Sequence, residues 1–66
     1  MMSRDEALSF AERSAVEALD QKEEYDDAFM SYYKNVIDTL NDYNLSEYKD
    51  EALEAYIKRY AILITL

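Results

Sequence analysis

The chain has 66 residues, fifteen acidic against seven basic for a formal net charge of −8, and it contains no Gly, Pro, Cys, His or Trp. Those absences exclude a disulfide framework, a zinc knuckle, a thiol nucleophile, an imidazole base and a glycine-rich phosphate loop. The negative balance argues against direct binding of nucleic acid.

One domain, residues 1–66, is all this length allows. A single core of this size rarely supplies more than about 3–5 kcal/mol. With disulfides and zinc excluded, stability must come from well-formed helix packing or from oligomerisation. No stretch approaches the roughly 18 apolar residues of a membrane span. Arg4, Asp5, Glu6, Glu12 and Arg13 interrupt the region where a signal peptide needs its apolar core. A cytoplasmic location is expected, in the host if the chain is phage-encoded.

Without Gly or Pro, tight hairpins are disfavoured, and the abundance of Ala, Leu, Glu, Asp, Lys and Tyr predicts an all-α chain. The first start signal is Ser3-Arg4-Asp5-Glu6, a capping box in which Ser3 and Glu6 satisfy each other's backbone amides. Leu8, Ala11, Ala15 and Leu19 follow at spacings of three and four, predicting a helix over 4–19 whose alanines admit a close neighbour. Phe10 lies about 160° from Leu8 on that stripe at 100° per residue and is expected to be exposed or to touch a partner.

The apolar pattern lapses over Asp20-Gln21-Lys22-Glu23-Glu24, followed by Asp26-Asp27. This segment is read as a turn near 20–24, with one continuous long helix as the alternative. Asp20, three residues before Glu23, offers a cap signal for the next helix. That helix is predicted over 24–42 from Tyr25, Phe29, Tyr32, Val36, Leu40 and Tyr43, with Tyr33 and Ile37 widening the face.

Asn41-Asp42-Tyr43-Asn44 is the most turn-like tetrapeptide, because Asn and Asp bond their own backbone and tolerate left-handed geometry. Asn44 and Glu47 are expected to form a second capping box, with Tyr43 and Tyr48 as its staple. A third helix over 45–64 carries two apolar rows: Leu45, Tyr48, Ala52, Tyr56 and Leu63, then Leu53, Ile57, Tyr60 and Ile64. Two rows need cover from two sides, so a three-helix bundle, antiparallel in sequence order and homodimeric through helix 3, is the expected architecture. Lys58 and Arg59 are placed to favour the negative end of the helix macrodipole.

Catalysis finds few tools here. Ser9, Ser14 and Ser31 have no His to activate them. A chain this short leaves little volume for a pocket in which one of two carboxylates is tuned. Asp42, Asn44, Ser46 and Asp50 mimic calcium-loop positions, but Glu47 replaces the required Gly and Leu53 the bidentate Glu. Asp38-Thr39-Leu40 lacks the modifiable Ser of an acyl carrier protein. No enzyme activity, metal or cofactor is expected.

Interaction is better supported. Residues 1–27 hold nine acidic and three basic residues, and residues 28–66 six and four. A row of carboxylates resembles a phosphate backbone in field and spacing, so Glu17, Asp20, Glu23, Glu24, Asp26 and Asp27 are the candidate surface for a basic partner protein. The bland reading is a solvated face that keeps the chain in solution. Phe10, Tyr60, Ile62 and Leu66 are the candidate apolar interface, since the terminal Ala61–Leu66 run is apolar around its circumference.

The expected function is a small non-enzymatic inhibitor or regulator of a larger, nucleic-acid-handling protein, of the DNA-mimic or counter-defence type that phages and plasmids encode. The alternative is a structural or assembly module that uses its Tyr- and Ile/Leu-rich faces.

Overall fold

The computed structural model describes residues 2–24 and 26–66; Tyr25, counted above in the second helix's stripe, lies outside them. Three helices, α1 (Arg4–Gln21), α2 (Ala28–Asp42) and α3 (Lys49–Ile64), pack into a small all-α bundle, with a 3-10 turn at Ser46–Tyr48 leading into α3.

The Ser3 capping box forms as its residues dictate. The Glu6 amide donates to Ser3 Oγ (3.3 Å), and the Ser3 amide donates back to Glu6 Oε1 (3.2 Å). The buried face of α1 is Ala7, Ala11, Ser14, Ala15 and Ala18. Leu8 and Leu19 are only half-buried. The face is thus centred about 60° from the predicted Leu8–Leu19 stripe at 100° per residue. This rotation corrects Phe10: it flanks the alanine seam and packs half-buried against the core.

Small side chains let helix axes approach closely, and α1 packs most extensively on α3, then on α2. Ala15→Leu is expected to cost about 1–3 kcal/mol by overpacking this seam. Val16→Leu, at an exposed neighbouring position, should change stability by less than about 0.5 kcal/mol. Urea titrations of the two variants check the difference.

Directions follow from side-chain pairs. Arg4 on α1 pairs with Glu51 on α3, and Glu12 pairs with Arg59 at 3.6 Å. Eight residues forward on α1 match eight forward on α3, so these helices run parallel. On α2, Phe29 meets Tyr60 (ring centroids 4.7 Å apart) and Tyr33 meets Tyr56 (6.1 Å). Four residues forward on α2 match four back on α3, so this pair is antiparallel. The bundle therefore runs up, down and up.

Tyr56 has no exposed surface, and its hydroxyl donates to the Phe29 carbonyl at 2.6 Å. Its ring also lies 5.2 Å from that of Phe29. Val36, Leu40, Ala52 and Leu53 complete the buried core. Tyr32, Tyr33, Ile37 and Tyr60 pack half-buried around it, whereas Tyr43 is exposed.

The connections fall near the predicted places, with different chemistry. α1 continues through Asp20 to Gln21, so Asp20 caps nothing; the turn occupies Lys22–Glu24 and Asp26–Asp27. α2 starts at Ala28 rather than at 24, behind Asp27, which makes no side-chain cap.

After α2, Asn44 adopts a left-handed φ of 59°. Its amide donates to the Asn41 carbonyl (3.2 Å), and the Leu45 amide donates to the Leu40 carbonyl (2.8 Å). This bond pair is a Schellman motif, with Leu45 packed against the core as its apolar closure. Asn44 is therefore spent on ending α2, and the predicted Asn44–Glu47 box with its Tyr43–Tyr48 staple does not form. No side-chain cap starts the 3-10 turn or α3, and Ser46 Oγ donates to Asn41 Oδ1 instead. Asn44→Ala should cost about 1 kcal/mol, because Ala keeps the Cβ at this positive φ and lacks the short polar side chain that lets Asn tolerate it. Asn44→Gly should cost nothing or stabilise, as thermal melts of the pair will show.

Candidate functional site at the acidic end of the bundle

Glu17 and Asp20 lie in the last turns of α1, Glu23, Glu24 and Asp26 in the connection, and Asp27 just before α2. All six are exposed, and among the described residues none makes an ion pair. The cations that are paired sit elsewhere: Arg4 with Glu51 and Asp5, Lys58 with Glu54, Arg59 with Glu12. Lys22 is the single basic residue between Glu17 and Asp27.

Lys58 and Arg59 do not serve the helix dipole as predicted. α3 runs to Ile64, its last turn holds no basic residue, and neither does that of α1. The C-terminal ends of two parallel helices thus add to the negative potential of the carboxylates.

The helix registers bring a second component to the same end. Carrying the 47-residue offset of the Arg4–Glu51 and Glu12–Arg59 pairs along α1 places Glu17 level with Ile64. Carrying the Phe29–Tyr60 register back along α2 places Asp27 and Asp26 about level with Ile62 and Leu63. Ile62 and Ile64 are 55% and 53% exposed, and Leu66 is 92% exposed. Thr65 closes α3 here, its amide and hydroxyl both donating to the Ile62 carbonyl (3.2 and 2.9 Å). The predicted acidic and apolar residues thus lie at similar heights toward one bundle end, with Phe10 and Tyr60 as exceptions. Phe10 belongs to the α1 flank, and Tyr60 is half-buried in the aromatic cluster.

Sequence reasoning identified the two sets separately and missed their shared height. That height depends on which residues pair across helices. A signal was present in the matched spacing of Arg4, Glu12, Glu51 and Arg59, but many charge pairings fit a sequence this rich in both signs.

An open groove between α1 and α3, lined by Leu8, Glu12, Glu51, Ala55, Lys58 and Arg59, reaches this end at Ile62. Two ion pairs span it. The hydrogen bond from Arg4 holds the Glu51 carboxyl below its ordinary value, with the Arg4 charge adding to the effect and desolvation opposing it. A folded-state pKa lowered in this way adds stability above the unfolded value, about 4.3 for Glu, and loses it as pH falls through the lowered one. Glu51→Gln should therefore be less stable than wild type at neutral pH and converge with it in acid below that range. Melting temperatures across pH 2 to 7 check this.

Among the described residues no group of three or more His, Cys, Asp or Glu is placed to hold a metal ion. No helix among them is long and apolar enough to cross a membrane. No family model matches the chain, and neither a curated protein nor a solved structure matches it.

Proposed function

We propose that this chain is a small non-enzymatic binding protein that inhibits or regulates a larger protein, engaging a basic, nucleic-acid-handling surface with its acidic end, in the manner of the DNA-mimicking and counter-defence proteins of phages and plasmids. The observation that carries this reading is the concentration of six exposed carboxylates between Glu17 and Asp27, none of which makes an ion pair among the described residues. Glu17 and Asp20, three residues apart on α1, lie about 5–6 Å apart at Cβ, close enough for their fields to combine. A basic groove evolved for phosphates answers such a field with steered, salt-sensitive association.

Immobilised chain in source-cell lysate tests the reading. Capture of a basic protein at low salt that is released at high salt supports it. Recovery of no basic protein at either salt counts against it.

A second reading is favoured by the exposure of Ile57, Ile62 and Ile64 along α3. In it the chain is an assembly module that forms a homodimer through α3, and the charge serves only to keep it dispersed. Light scattering over a dilution series separates the two: a 7.8 kDa species throughout eliminates the dimer.

A further inference from the structure

Building on the assembly reading, we infer that the outer face shared by α2 and α3 docks a second copy of this chain about a two-fold axis parallel to the helices. Of the three helix pairs, α2 and α3 pack on each other least extensively. Their contact runs through Phe29, whose ring lies 6.2 Å from that of Tyr33 and 4.7 Å from that of Tyr60. The core residues Val36 and Leu40 lie to one side of Tyr33 on α2. On its other side, Ile37 and Met30 follow about 40° and 60° round at 100° per residue. On α3, Ala52 and Tyr56 lie to the core side of Tyr60, and Ile64 and Ile57 follow about 40° and 60° round the other side. The two helices thus turn matching apolar edges outward. Met30, Ile57 and Ile64 are 49%, 46% and 53% exposed. Ile62 stands apart from this face, in the α1–α3 groove beside Lys58 and Arg59.

Charge at the two borders of the face names its occupant. Beyond Met30, about 100° from Tyr33, stands Lys34, which makes no ion pair among the described residues. Beyond Ile57, about 80° and 120° from Tyr60, stand Asp50 and Glu54; Glu54 pairs with Lys58 of its own helix at 3.4 Å. Extending the Phe29–Tyr60 and Tyr33–Tyr56 register places Lys34 level with Ala55, one residue from Glu54. One border is therefore basic and the other acidic at the same height, which makes the face complementary to itself. Asp38 lies farther round α2, about 140° from Tyr33, outside this border.

The borders also choose the axis. A two-fold parallel to the helices lays α2 of each copy antiparallel on α3 of the other and sets Lys34 against Asp50 and Glu54. A two-fold across the helices lays α3 on α3 and brings the acidic borders together, which like-charge repulsion disfavours. The favoured arrangement is a four-helix array with antiparallel neighbours. At its centre lie Met30, Tyr33 and Tyr60, of residue types enriched at protein interfaces.

Sedimentation equilibrium of the full chain over a dilution series tests this. A species of twice 7.8 kDa that dissociates on dilution is the expected result. Ile57→Asp with Ile64→Asp should leave only the 7.8 kDa species, whereas Ile62→Asp, in the groove, should dimerise as wild type does. Lys34→Glu should weaken the dimer about two- to thirtyfold through the loss of two exposed cross-pairs. Adding Glu54→Lys should restore it. All five positions are exposed, and circular dichroism melts confirm that each variant stays folded.

A 7.8 kDa species at every concentration overturns the inference and the assembly reading together. If the Ile57→Asp and Ile64→Asp changes then abolish capture of a basic protein, the face belongs to that partner instead. A dimer that survives those two changes, or is lost with Ile62→Asp, overturns the inference and leaves the assembly reading standing. Failure of Glu54→Lys to rescue the Lys34→Glu dimer overturns the parallel axis, and the inference with it.

Discussion

Tyr56→Ala is expected to leave most of the protein unfolded at room temperature. Tyr56 is the largest side chain with no exposed surface, and its ring joins α2 to α3 through Phe29 and Tyr33. Removing a buried aromatic ring costs about 3–5 kcal/mol, comparable to the whole stability available to one core of this size. Tyr56→Phe keeps the ring contacts and removes the bond to the Phe29 carbonyl, for a loss of about 0.5–1.5 kcal/mol. Far-UV circular dichroism with urea titration distinguishes these variants. A Tyr56→Ala protein that melts cooperatively near the wild-type temperature would show that α1 alone organises the bundle through its alanine seam.

The second large effect concerns binding. Glu23→Lys combined with Asp27→Lys should abolish capture of a basic partner. Both side chains are exposed, and neither makes an ion pair among the described residues, so the fold has little to lose. Surface substitutions away from helix ends stay within about 0.5 kcal/mol, and Asp27→Lys, at the N-terminus of α2, adds about 0.3–1 kcal/mol of unfavourable macrodipole interaction. The two reversals turn attraction into local repulsion, and steering of this type changes association rates by about 10- to 1,000-fold. Glu23→Gln with Asp27→Asn should fall between the two, with less salt dependence than wild type. Stopped-flow association rates, with thermal melts as the fold control, measure both effects. If the Lys variant binds as wild type does, the charge only solvates the surface.

Phe10→Asp does not serve as a surface probe, because Phe10 packs against the core and its loss would mix folding with binding. Ile62→Asp is cleaner, since Ile62 is exposed.

What the sequence revealed and concealed follows from which interactions are local. The Ser3–Glu6 box is decided within four residues, and it forms as read. The turns at 22–24, 26–27 and 43–44 follow from local polarity and from Asn44's tolerance of positive φ. The face of α1 is different. A stripe chosen by side-chain size favours Leu8 and Leu19, whereas close approach to α3 selects the smaller Ala7, Ser14 and Ala18. That one preference rotated the predicted face and misplaced Phe10. Asn44 was misassigned because its side chain suits either cap, and only the backbone geometry decides between them.

At the candidate site, exposure of the six carboxylates and of Ile62 and Leu66 was legible from pattern. Their shared position was not. It rests on pairings 47 residues apart in sequence, which no local rule specifies.

The most direct measurement is a heteronuclear NMR map of the captured basic partner on the isotope-labelled chain. Backbone shifts confined to Glu17–Ala28 and to the end of α3 from Tyr60 onward are the predicted result. Shifts centred instead on the α1–α3 groove around Leu8, Ala55 and Arg59, with the acidic end unmoved, would contradict the account.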